Sequence, residues 1–405
     1  MSKPGDPFLP YGQQWIDDDD IDAVVQVLKS DFLTGGPAVA AFEETFAAST
    51  GAKHAIACAN GTAALHLSAL ALELGPGDQV IVPSITFLST ANAARFVGAE
   101  LIFSDVDPYT GLMGPDELNA ALARADKTKV KAIYPVHLSG QCTDFEALSK
   151  IAIDHNLKIV EDACHALGGT YQKGSTAHPV GDSQYADMVV FSLHPVKIIA
   201  MGEGGVITTN NDALAERLRL LRNQGMTREV SDFQNRDMAL DSKGEANPWY
   251  YEMPELGFNY RASDIHCALG LSQLKKLPSF AQKRQALAAH YDERIAGLAP
   301  KARPVDRMPH SHPAWHLYVV LIDFDAVGKP RAQVMHELKE KGIGSQVHYI
   351  PVHQQPYYQQ RYGNLSLPGA EAYYAHCLSL PLFVRMTNDD VKRIVNALSE
   401  ILGTA

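Results

Sequence analysis

The sequence predicts an α/β protein, with a mostly parallel seven-stranded sheet in a large domain and a smaller C-terminal α+β domain. Three observations lead there. Seven short apolar runs recur between residues 54 and 209, and they are near-continuous rather than alternating, as strands buried on both faces must be. Stretches of helical period separate several of them. Beyond residue 257 the pattern changes to a long helix, one strand and further helices. This division puts the large domain, with an N-terminal arm, at 1–250 and the small domain at 251–405.

Taken in order, Asp17 to Asp20 precede a stretch in which Ile21, Val24, Val25 and Leu28 share one helical face. The carboxylates suit the positive end of that helix, so the acidic run reads as a helix start rather than a metal site. HAIACA, QVIVPS, AELIFSDVD, VKAIYPV, LKIVEDA, ADMVVFS and GGVITTN read as the seven strands. TAALHLSALALEL, TANAARFVG, DFEALSKIAIDH and DALAERLRLLR read as helices between and after them. Residues 223 to 256 are polar and turn-rich and form a long excursion, of a length that is commonly functional or disordered. There Trp249, Tyr250 and Tyr251 either line an entrance or pack. A helix over about 262 to 297, a strand in WHLYVVLID, a helix in RAQVMHELKEKG and a last helix after Thr387 complete the chain.

Composition narrows the function. A net charge of −11 over 405 residues excludes a non-specific binder of nucleic acid or anionic membrane. Five scattered cysteines with no CxxC spacing disfavour a disulfide framework or a zinc cluster and favour a reducing compartment. MSKPGDPFLPYG has no apolar signal core, and no apolar run is long enough to span a bilayer, so the expected location is cytoplasmic.

Four pieces carry the chemistry, and none suffices alone. Asn60-Gly61-Thr62 lies between a strand and a helix, where free N–H groups and the helix dipole suit a phosphate; the plain alternative is a turn with Thr62 as helix cap. Asp162 follows a buried-type strand and could keep a pyridine nitrogen cationic; otherwise it is a cap or a solvated acid. His165, three residues on, could contact the ring or its phenolic edge, or simply be packed. Ser192 and Lys197 occupy the loop after the next strand, ahead of Gly202-Glu203-Gly204-Gly205. A desolvated Lys197 amine could attack a carbonyl cofactor and Ser192 could donate to its phosphate; alone, Lys197 would read as a surface lysine. Phe87, after QVIVPSIT, could stack on a flat ring or pack in the core. In chain order, phosphate-type turn, aromatic, aspartate and lysine give the layout of fold-type I pyridoxal-phosphate (PLP) enzymes.

NGTAALHLSALAL, GDQVIVPSITFLSTANA, EDACHALGG, FSLHPVKIIAMGEGG, ELGFNYRASDIHCALGLSQLKKL and VHYIPVHQQPYY together resemble the DegT/DnrJ/EryC1/StrS sugar aminotransferases over nearly the whole chain. The resemblance implies that Lys197 is the Schiff-base lysine, that Asp162 pairs with the pyridine nitrogen and that Phe87 packs on the ring. It places His165 near the ring and Gly61, Thr62 and Ser192 on the phosphate. It also implies that Asn259, in GFNYR, reaches the phosphate of a neighbouring subunit, so that the active site belongs to a homodimer. HPVK followed by GEGG, with HYIPVHQQPYY, is most similar to the pseudaminic-acid branch, whose members aminate C4 of a UDP-4-keto-6-deoxy-N-acetylhexosamine with glutamate as donor. Arg261 and the Thr34-Gly35 turn are candidates for the substrate diphosphate, and His348 and Tyr349 for sugar or phosphate contacts. A C3 or C4 aminotransferase for a dTDP- or GDP-keto-sugar and a non-catalytic PLP-binding regulator are the competing readings. An NAD-dependent oxidoreductase is disfavoured because no GxGxxG follows any predicted strand.

Overall fold

The computed structural model describes residues 7–404; the first six residues of the MSKPGDPFLPYG stretch, and Ala405, lie outside it. The seven expected strands all form. They are β1 (His54–Cys58), β2 (Gln79–Pro83), β3 (Glu100–Ser104), β4 (Val130–Ile133), β5 (Lys158–Asp162), then, beyond a hairpin of β6 (Thr170–Lys173) and β7 (Thr176–Pro179), β8 (Met188–Ser192) and β9 (Gly205–Thr209). They make one sheet in the order β1-β9-β8-β5-β4-β2-β3. Only β9 runs antiparallel to its neighbours. β8, β5, β4, β2 and β3 pair in parallel. Their residues are almost wholly buried, which is why they read as continuous apolar runs.

Two helices precede β1: α1 (Asp18–Leu28) and α2 (Pro37–Thr50). α1 begins where the acidic run predicts, closed by a reciprocal Asp17–Asp20 capping box. Its buried face differs from the expected one. Ile21 and Leu28 are more than half exposed, while Asp20 is fully buried. Asp20 is kept there by Gln273 Nε2 at 2.7 Å and Lys276 Nζ at 2.8 Å. A paired carboxylate tolerates burial that an isolated one would not.

The sheet's helices include α3 (Gly61–Ala71) and α4 (Leu88–Phe96), which follow β1 and β2. The long helix Asp264–Ile295 links two cores. Its Cys267, Leu274, Leu277 and Phe280 pack with residues around β8 and β9, and its Leu287, Tyr291 and Ile295 pack with the C-terminal segment. That segment is built on a three-stranded antiparallel sheet of β10 (Ala302–Pro304), β12 (Tyr318–Ile322) and β13 (Cys377–Leu380). β11 (Ser311–His312) instead joins the β6–β7 hairpin. β10, β11, β13 and the hairpin were not among the predicted strands.

The 223–256 excursion holds one 3-10 turn, Val230–Asp232, and one short helix, Arg236–Ala239. Glu252 knits it together by accepting the Gln234 and Asn235 N–H groups, both at 2.7 Å. Trp249 is 71% exposed, and neither it, Tyr250 nor Tyr251 borders the cleft described next.

Candidate active site

The carboxyl ends of β1, β5 and β8 meet at one edge of the sheet. Gly205 pairs with Cys58 on one side and Ser192 on the other, which sets the start of α3 beside Ser192. Two glycines permit the approach. A Cβ on Gly205 would lie 2.3 Å from the Asn60 carbonyl oxygen, and one on Gly61 would lie 2.9 Å from Ser192 Cβ. Asn60, not Thr62, caps α3, its Oδ1 accepting the Ala63 N–H at 2.8 Å. The Gly61 and Thr62 N–H groups, in the first turn, have no intrahelical acceptor. The Thr62 hydroxyl meets Ser89 Oγ at 2.6 Å.

These residues border a cleft of about 650 Å³ that also takes in Phe87, Asp162, His165, Ser192, Lys197, His348 and Tyr349. Asp162, at the end of β5, is 5% exposed. Its Oδ2 accepts the Thr90 hydroxyl at 2.6 Å, and Thr90 is backed in turn by the Thr86 hydroxyl at 2.7 Å; Oδ1 accepts the Cys164 N–H at 3.2 Å.

Lys197 sits in the β8–β9 connection, tied by its own N–H to the His194 carbonyl at 2.8 Å. Its Nζ has no hydrogen-bond or ion-pair partner among the described residues. Burial lowers its pKa from the ordinary lysine value, with the Cys164 and Asp162 charges pulling the other way. An amine in that state is more often neutral and so more nucleophilic.

Phe87 is 55% exposed and turns to the cleft, 6.0 Å from the Tyr349 ring. His165 is buried with both ring nitrogens engaged: Nδ1 accepts the Ser139 N–H at 3.2 Å and Nε2 meets Tyr349 Oη at 3.0 Å. It can therefore offer a ligand its face but no free N–H. His348 is buried against Ser379 Oγ at 2.8 Å, and burial followed by the nearby Lys197 charge takes its pKa to about 3.

Four other candidates lie elsewhere. Thr34, Gly35 and Arg261 border a separate concavity, where Arg261 Nη1 donates to Asn223 Oδ1. Asn259, bridged to Asn223, is exposed and outside the Lys197 cleft. Conversely, the cleft contains Tyr11 and His316, and the buried Thr90 backs its Asp162; the sequence pointed out none of the three. Tyr11 comes from the N-terminal arm, which the Leu9–Ile343 bridge and the Leu382 N–H to Tyr11 carbonyl bond hold in place. The His316 ring lies 4.4 Å from that of His165, tilted by 51°.

The residues present fit PLP. A glycine cradle that a Cβ would fill, open helix N–H groups, a buried carboxylate and an unpartnered amine converge on one space. Comparison with known proteins agrees. The profile described as the DegT/DnrJ/EryC1/StrS aminotransferase family matches residues 14–399. The chain belongs to this family. It is a PLP-dependent sugar aminotransferase.

Among similar solved structures is Helicobacter pylori PseC, an aminotransferase involved in the biosynthesis of pseudoaminic acid. It is 29% identical, with a TM-score of 0.86, over 98% of this chain and 100% of that one. S. venezuelae DesV, solved in complex with a ketimine intermediate, is 30% identical, with a TM-score of 0.83, over 98% of this chain and 99% of that one. Streptococcus pneumoniae Spr1654 in its PLP form is 27% identical, with a TM-score of 0.85 and the same two coverages, 98% and 99%. Among the described residues, no helix is long and apolar enough to cross a membrane.

Proposed function

We propose that this aminotransferase moves the amino group of glutamate to C4 of a UDP-4-keto-6-deoxy-N-acetylhexosamine, giving a UDP-4-amino-sugar for pseudaminic-acid-type glycans in the cytoplasm. One observation carries the chemical part: the Lys197 amine and the Asp162 carboxylate border the same cleft, and the Asp162 charge acts on the amine. The choice of sugar is supported by the HPVK–GEGG and HYIPVHQQPYY motifs and by the likeness to PseC.

When bound, PLP supplies an electron-accepting ring that stabilises negative charge at the carbon bearing the amino group. Gly61, Thr62 and Ser192 hold its phosphate, and Phe87 and the face of His165 confine its ring. Asp162, fixed by Thr90, keeps the positive charge on the pyridine nitrogen. Lys197 Nζ would hold the bound cofactor covalently at rest and, once free, would accept the α-carbon proton of glutamate. In the second half-reaction it delivers a proton to C4 of the sugar. Separate half-reactions give ping-pong kinetics. In this reading a second copy of the chain completes the site, its Asn259 reaching the phosphate, and its Arg261 and Thr34–Gly35 turn meeting the substrate diphosphate. His348 and Tyr349 face the sugar. The domain division is placed between residues 250 and 251.

The test is mass spectrometry of the products formed from glutamate and a panel of UDP-, GDP- and dTDP-keto-sugars. A UDP-4-amino-sugar as the main product supports the proposal. Amination at C3, or turnover of the dTDP or GDP substrates alone, refutes the sugar assignment. No amino-sugar from any of them refutes the proposal as a whole.

A further inference from the structure

We infer that Tyr349 is a one-way hydrogen-bond donor into the cleft, fixed in that role by His165, which acts as a positioning residue. The inference rests on the PLP site proposed above and adds a polar group to it.

The argument follows protons. The Ser139 N–H points at His165 Nδ1, so that nitrogen must present its lone pair. The opposing N–H leaves no room for a proton on Nδ1, which excludes the imidazolium form by geometry alone. The one ring proton then sits on Nε2, and Nε2–H donates to Tyr349 Oη. An oxygen already accepting on that side directs its own O–H elsewhere, and Tyr349 borders the cleft. Ser139 is itself clamped. It stands at φ +62°, outside the range a serine normally takes, and its carbonyl accepts the His316 N–H at 2.9 Å. The His316 carbonyl accepts in turn from the buried Arg284 guanidinium at 3.3 Å.

The groups around the phenol agree with a fixed neutral donor. Asp162, Cys164 and Tyr11 all disfavour a phenolate, and burial is the largest influence in the same direction. Burial, then the Lys197 charge, keeps His165 neutral. The partner of the Tyr349 O–H is an acceptor oxygen. Either the phenolic oxygen of the cofactor ring or the carbonyl oxygen of the keto-sugar has that chemistry.

The experiment uses the PLP-loaded enzyme and the variants Tyr349→Phe, His165→Gln, His165→Leu and the Leu/Phe double. Glutamine offers an acceptor and a donor, as the neutral imidazole does, whereas leucine offers neither. Two readouts separate the sources: the pH midpoint of the visible absorbance without sugar, and single-turnover rates of the glutamate and sugar half-reactions. Tyr349→Phe is expected to move the midpoint if the cofactor oxygen is the partner. If the sugar oxygen is the partner, it should slow only the sugar half-reaction, by about tenfold. His165→Leu should match it, the double variant should be no worse than either single, and His165→Gln should restore most of the effect. The inference is overturned if Tyr349→Phe changes neither readout, or if the two single effects multiply in the double. Absence of Lys197-dependent absorbance in the unaltered enzyme would instead remove the proposed site, and this donor with it.

Discussion

The two concavities that hold the predicted site residues differ in kind. The Lys197 cleft brings an amine, a carboxylate, hydroxyls and open helix N–H groups to one point, all from this chain. The concavity around Arg261 is larger, about 1090 Å³ against 650 Å³, yet it presents arginines interspersed with Glu216, Glu229 and Asp232, and no lysine, histidine or cysteine. Of its arginines, Arg217 and Arg222 are committed to Glu73, Glu255 and Glu43. Arg219, Arg228 and Arg261 have no carboxylate partner among the described residues. Size therefore does not mark the reacting centre. Converging, unlike groups do.

The sharpest way to break that contrast is to remove the amine. Lys197→Ala should lose the visible absorbance of the bound cofactor and at least about 10⁴-fold in transamination, the scale seen when a covalent nucleophile is deleted. Arg261 and Asn259 offer the opposite test. If they serve the partner's cleft, inactive Lys197→Ala and Asn259→Ala chains co-assembled in equal amounts should recover about a quarter of normal activity. Half of such dimers are mixed, and each mixed dimer keeps one intact site. Activity that stays at the level of the two parents would show that each cleft works with its own chain alone.

Within the cleft, the next effect belongs to the carboxylate. Asp162→Asn should leave the cofactor bound but lower kcat by about 10²–10³-fold, since the opposing charge is lost. Thr90→Val removes the 2.6 Å hydroxyl bond to Oδ2 together with the bond from Thr86, leaves the carboxylate in place, and should cost roughly ten- to a hundredfold. Equal losses in the two variants would mean that Thr90 does more than orient the acid.

Thr90 also shows where sequence reading stops. That Lys197 and Asp162 would border one cleft was legible because one ends and the other follows a strong apolar strand at the edge of the sheet where ligands sit. Thr90, Tyr11 and His316 gave no such signal: a helix threonine, an N-terminal tyrosine and a histidine before a strand become neighbours only through tertiary folding. The same holds for β13, which begins directly after the helix Pro368–His376 with no turn residue to announce it. In α1 the periodic apolar face was read correctly as helical, but periodicity could not foresee that Asp20 would be the buried residue. Asn259 was placed by resemblance alone, and in the single chain it is exposed and outside the cleft.

A smaller effect is expected from the glycine cradle. Gly61→Ala puts a Cβ within 2.9 Å of Ser192 Cβ, so one of the two elements must shift. The cost to stability should be about 1–3 kcal/mol by thermal melting, with weaker PLP binding by equilibrium dialysis. A variant with unchanged melting and affinity would mean that the approach of α3 to β8 is looser than drawn.

The smallest effect is also the most particular to this cleft. Burial lowers the Lys197 pKa below its ordinary 10.5, so in the cofactor-free enzyme the unfolded chain binds the proton more tightly than the folded one. Between the folded and unfolded pKa values the unfolded state carries more protons, and stability therefore rises with pH through that window. Below it the penalty is present in full. Cofactor-free Lys197→Met should accordingly melt higher than the unaltered protein at pH 7, and the gap should narrow as the pH approaches 10.5. An arginine of the second concavity, replaced in the same way, should show no such convergence, because its charge does not titrate in this range. A gap for Lys197→Met that stays constant with pH would mean that the methionine gains by packing and that the amine is not held in a desolvating site.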